Sequence, residues 1–206
     1  MTRYGKLLLP GLALLLGFPA VAAADGRAVA LEVDRRMYAG IAGFTAQSRM
    51  RAEDGAGSGT NSLSDGLLLR LGRTGRPARY DVELARTNYD EGELWLTMAS
   101  LDYLIPGGDL FSGYVGIVGG YGRIEWNSND PFGGGDNFGV RGERDSSYVA
   151  GLRGGGLIEV TDLVQVEIGY RYLHTEFSRQ FDGNDGGGKV QVRNLRMVHA
   201  GVNFRF

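Results

Sequence analysis

The last sixteen residues, Gln191–Phe206, read QVRNLRMVHAGVNFRF. From Val198 onward, Val198, Ala200, Val202, Phe204 and Phe206 fall on one side of an extended chain, and His199, Gly201, Asn203 and Arg205 fall on the other. Period two specifies a strand. A core-facing apolar side would place two phenylalanines where chains usually fray. A lipid-facing side makes them boundary markers of a membrane. Phe206 is accordingly expected to be the end of the fold.

The same alternation recurs upstream and predicts eight extended segments. The first runs from about Met37 to Gln47, with Tyr38, Gly40, Ala42 and Phe44 on one side. Arg49 to Asp65, rich in Ser, Gly, Asn and charge, reads as a long loop. Leu67, Leu69 and Leu71 then alternate with Leu68, Arg70 and Gly72 before the Thr74–Pro77 turn. Tyr80, Val82 and Leu84 alternate with Asp81, Glu83 and Ala85. Trp95 to Tyr103 follows, then the turn at Pro106–Asp109, then a glycine-punctuated strand from Leu110 to Trp126. A loop over 127–145, a strand near Tyr148–Ile158 and a turn at Val160–Asp162 come next. In the seventh segment Val164, Val166, Ile168, Tyr170 and Tyr172 point one way, and Gln165, Glu167, Gly169 and Arg171 the other. Phe181–Lys189 reads as the last loop.

Tight turns therefore gather on one rim and longer loops on the other, the outer-membrane arrangement. Aromatics support it. Tyr38, Tyr80, Tyr103, Phe111, Phe204 and Phe206 lie at the tight-turn ends, and Trp95, Tyr121, Trp126, Tyr148 and Tyr172 toward the long-loop ends, as two interfacial girdles would. An open sheet edge in lipid leaves backbone groups unpaired at several kcal/mol each, so first and last strands must pair. The expected fold is all-β: a closed, eight-stranded, antiparallel, up-and-down transmembrane barrel.

The front of the chain differs in kind. Arg3 and Lys6 precede an almost unbroken apolar run from Leu7 to Val21, and Ala22–Ala24 offers small residues for cleavage. Residues 1–24 are expected to be a secretory signal peptide and 25–206 the barrel domain. Losing Arg3 and Lys6 takes the formal charge from −2 to −4. No apolar segment after Ala24 has membrane-helix length. Cysteine is absent, which excludes a disulfide-stapled scaffold. Glycine, at 35 of 206 residues, is more than double its usual share of about 7% without a collagen period. The mildly acidic balance lacks a basic block and argues against a nucleic-acid partner.

The terminal strand resembles the closing strand of Gram-negative outer-membrane β-barrels, with Val202, Phe204 and Phe206 at the positions of the signal read by the barrel-assembly machinery. The mature chain resembles the OmpA and OmpX class of eight-stranded barrels, most specifically at Gly169-Tyr170-Arg171-Tyr172 and Phe206. The resemblance implies a cell outer-membrane protein in contact with outer-membrane lipid and lipopolysaccharide. It also implies adhesion or another contact with an extracellular ligand, without the second, peptidoglycan-binding domain of full-length OmpA proteins.

The inward side collects Arg70, Asp81, Glu83, Asp102, Arg153, Glu167 and Arg171, with His199, Asn203 and Arg205. Charges in a narrow barrel are costly unless paired, so the near balance of signs predicts an interior ion-pair network, with Arg153 expected beside Glu167 and Arg171. Eight strands leave a lumen that side chains just fill, so a plugged, non-enzymatic barrel is expected. A narrow small-solute channel is the alternative, because inward glycines could open a water cavity. His174, Glu176 and Ser178 invite comparison with the lipid A deacylase barrels. In that family the serine follows the histidine by two positions, where Glu176 stands here. Gly183–Lys189 matches G-x-x-x-x-G-K, but Val190 replaces Ser or Thr and no helix can follow. Asp130, Asp136, Asp182, Asn184 and Asp185 lack EF-hand spacing, and neither histidine has a metal-ligand neighbour. No metal and no cofactor is expected. The loops carry Arg49, Arg51, Glu53, Asp54, Arg141, Glu143, Arg144, Asp145, Phe177, Arg179 and Phe181, where a ligand on a rigid barrel would bind.

Overall fold

A computed structural model of the chain describes residues 36–52, 61–75, 77–89, 92–126, 144–183 and 186–206, with side chains except at 49–52, 61, 178–183 and 186–190. Eight strands account for nearly all of it: β1 Arg36–Ala52, β2 Asn61–Thr74, β3 Ala78–Tyr89, β4 Gly92–Pro106, β5 Phe111–Trp126, β6 Arg144–Glu159, β7 Val164–Gly183 and β8 Gly186–Arg205. Each pairs antiparallel with its sequence neighbour, and β1 pairs with β8, so the sheet is a closed up-and-down barrel. At the tight-turn rim Met37 and Phe206 close the seam by exchanging backbone hydrogen bonds of 3.2 and 2.9 Å.

The wall is sorted by pleat. Outward residues such as Ile41, Leu69, Leu101, Ile117, Leu152, Ile168 and Val198 are all about half exposed or more, whereas their inward neighbours are buried. An apolar surface of this kind outside a closed barrel is a lipid-facing surface. The stretch of β7 that carries the outward apolar residues, Val164 to Tyr172, spans nine residues, within the about 9–11 that a tilted strand needs to cross hydrocarbon.

Three expectations need correction. The segment 49–65 is not all loop, because Asn61–Asp65 pairs with Arg49–Thr45, and outward Thr45 Oγ1 donates to Asp65 Oδ1 at 2.7 Å. The segment Phe181–Lys189, expected as a loop, is strand on both sides, since Phe181 pairs with Gly188 and Gly183 with Gly186. Polar composition marked where these strands leave lipid, not where the ladder ends. Third, two aromatics assigned to the girdles face inward: Tyr38 and Trp126 are each 2% exposed. Both belong to the inward pleat set by their neighbours Gly40 and Ile124, and pleat overrides position along the strand.

The turn at Pro106–Leu110 contains Gly108 at φ 132°, a left-handed conformation that glycine takes without a side-chain clash. The expected signal peptide, Glu53, Asp54, Asp130, Asp136, Arg141, Glu143, Asn184 and Asp185 lie outside the described residues, as do the side chains of Arg49, Arg51, Ser178, Arg179, Phe181 and Asp182.

Candidate functional site

The lumen holds two layers of different chemistry. Toward the tight-turn rim, alternation on β2, β3, β4, β6 and β7 brings Arg70, Arg79, Asp81, Glu83, Asp102, Arg153, Glu167 and Arg171 inward, all at most 4% exposed. Four guanidinium groups face four carboxylates. Arg153 is the hub: its Nε donates to Asp102 Oδ1 at 2.6 Å, its Nη2 to Asp81 Oδ2 at 2.6 Å and its Nη1 to Glu83 Oε1 at 2.9 Å. Arg171 Nη1 donates to Glu83 Oε2 at 2.5 Å. Arg79 Nε donates to Asp102 Oδ2 at 2.9 Å and its Nη1 to Glu167 Oε2 at 2.8 Å. Arg70 Nη1 stands 2.5 Å from Glu167 Oε2, an ion contact without aligned hydrogen-bond geometry.

Apart from Arg79 with Asp102, which face each other on neighbouring strands, these pairs are chords across the barrel, linking β7 to β2 and β3, and β6 to β3 and β4. The expected partnership of Arg153 with Glu167 is not the one formed. Arg153 reaches the acids of β3 and β4, while Glu167 accepts from Arg79, from Asn203 Nδ2 at 3.0 Å and from Tyr114 OH at 2.9 Å. His199 Nε2 lies 3.0 Å from Glu167 Oε1 and, carrying the proton, donates to it. In the lumen of a narrow barrel an arginine is long enough to meet the opposite wall, so sequence adjacency of strands does not set its partner.

Sequence reading missed Arg79, Tyr38 and Tyr114. Arg79 is 1% exposed, with its guanidinium carbon 4.6 Å from the Tyr114 ring centroid and 5.7 Å from that of Tyr38. Extending the Asp81, Glu83 alternation one step back over the turn would have found it. Tyr38 OH donates to Asp81 Oδ2 at 2.6 Å, and Ser100 Oγ to Asp81 Oδ1. Tyr114 OH occupies space that a side chain at Gly155 or Gly169 would need, which gives those inward glycines a packing reason. Arg205, expected on the inward side, lies at the tight-turn rim, where it pairs with Glu159.

Toward the long-loop rim the lumen is mainly apolar, with buried hydroxyls at Ser48, Ser64, Thr87 and Thr175 among the apolar side chains. Phe44, Leu68, Leu96, Met98, Ile124, Trp126, Leu173, Phe177, Leu195 and Met197 form one buried cluster. Phe177, expected on an exposed loop, is inside at 2% exposure beside Gly122. The inward glycines of β5 and β6 are occupied differently: Gly122 is covered by Phe177 and Leu96, Gly116 by Asp102, Gly155 by the Tyr114 hydroxyl, and Gly120 and Gly151 lie against the backbone of the neighbouring strand. At the mouth, Ser48, Tyr89, Leu94, Thr175, Phe177 and Val192 surround a void of about 10 Å³, space for one water.

On the outer surface His174 Nε2 and Glu176 Oε1 are 3.6 Å apart and exposed. Among the described residues no group of three or more metal-ligating side chains converges.

No protein-family model matches the chain, and no curated protein does. Solved structures do. The chain is similar to Neisserial surface protein A, with 18% identity, 82% of this chain and 97% of that chain covered, and a TM-score of 0.59. It is also similar to Ail, the attachment invasion locus protein of Yersinia pestis, at 17% identity, 82% and 98% coverage and a TM-score of 0.47. Outer membrane protein H of P. aeruginosa matches at 22% identity, 81% and 99% coverage and a TM-score of 0.46. The chain is a closed eight-stranded barrel with the OmpA/OmpX-like outer-membrane fold.

Proposed function

We propose that the protein is a non-enzymatic barrel of the cell outer membrane, exported by the signal peptide at residues 1–24, whose plugged lumen makes it a rigid platform for its external loops. Val202, Phe204 and Phe206 on the closing strand serve as the signal for the barrel-assembly machinery. The loops then carry the activity: contact with an extracellular ligand or surface, with a parallel contribution to membrane integrity.

The observation that supports this reading is the filling of the lumen. Eight paired charges cross one half and a continuous apolar cluster closes the other, so a hydrated solute has no path. Moving a hydrated ion through this half would strip most of its water in exchange for a few hydroxyls such as Ser48, Thr87 and Thr175, at several kcal/mol or more. Activity is then left to the rims.

Purified protein in planar bilayers should give no resolved conductance steps, and well-resolved channels would overturn the plugged reading. Replacing residues 53–60 and 127–143 by short Gly-Ser turns should leave a heat-modifiable band on gels while abolishing binding of expressing cells to a target surface. Unchanged binding by the loop-replaced protein would leave only the structural role.

A further inference from the structure

We draw no further inference here: the strongest candidate, the void at the long-loop mouth of the lumen with the unpartnered hydroxyls of Ser48 and Thr175 in its lining, belongs to the lumen filling already described and has room for a single water.

Discussion

The two halves of the lumen share one wall, one pleat and one glycine-rich lining, yet they are filled by opposite chemistry. Near the tight turns the filling is ionic, held by arginines that bond three strands at once. Near the loops it is a hydrocarbon cluster with rings such as Phe177 and Trp126 at the mouth. In the ionic half every charge depends on a partner across the barrel. In the apolar half each side chain loses only its own contacts when removed. The ionic half therefore specifies register and pairing, because any slip would leave charges unpaired, while the apolar half closes the lumen with tolerance for local change.

The sharpest way to break this contrast is to unbalance the ionic half. Glu167→Gln keeps the shape but leaves Arg70 and Arg79 short of a counter-charge at nearly full burial. The expected cost is about 3–5 kcal/mol, read as a lower urea midpoint in vesicles. A loss under about 1 kcal/mol would mean that water reaches the network and that the two halves do not differ. In the apolar half, Leu173→Ala removes a side chain of 0% exposure and should cost about 3 kcal/mol with no change in conductance, since the neighbouring rings remain. Appearance of ion steps in that variant would locate the seal at Leu173 alone. Arg171→Lys tests geometry within the ionic half. The charge stays, but the fork that gives Glu83 bonds of 2.5 and 3.1 Å is lost, so about 1–2 kcal/mol is expected.

Much of the ionic half was legible because alternation carries facing: once Val164 and Tyr172 are read as outward, Glu167 and Arg171 must be inward. What alternation cannot carry is distance across a closed wall. The pairing of Arg153 with Asp81, Glu83 and Asp102 depends on barrel diameter, so it was missed. Arg79 was missed because it adjoins a turn, where composition outweighed period. The apolar half was overlooked for a different reason. Leu68, Leu96, Met98 and Leu173 are inward by the same alternation that gave the charges, but in these strands both faces are apolar and the contrast that makes period two visible is weak. Tyr38 and Trp126 show the same confusion, since an aromatic near a strand end fits either the girdle outside or the filling inside.

The smallest effect sharpens where the ionic half ends. Arg205 and Glu159 pair at the tight-turn rim with side chains 16% and 25% exposed, against 0–1% for the pairs within the lumen. Gln165 Nε2 also donates to Glu159 Oε1 at 2.7 Å, so Glu159 keeps a partner when the arginine is gone. Arg205→Ala should then cost under about 1 kcal/mol, as exposed pairs do, and added salt should shrink the difference from wild type. Glu167→Gln should lose stability by a similar amount at low and high salt, because counter-ions do not enter its surroundings. If both variants responded to salt alike, water and ions would be crossing the rim freely, and the dry layer would have to begin higher in the barrel than Glu167.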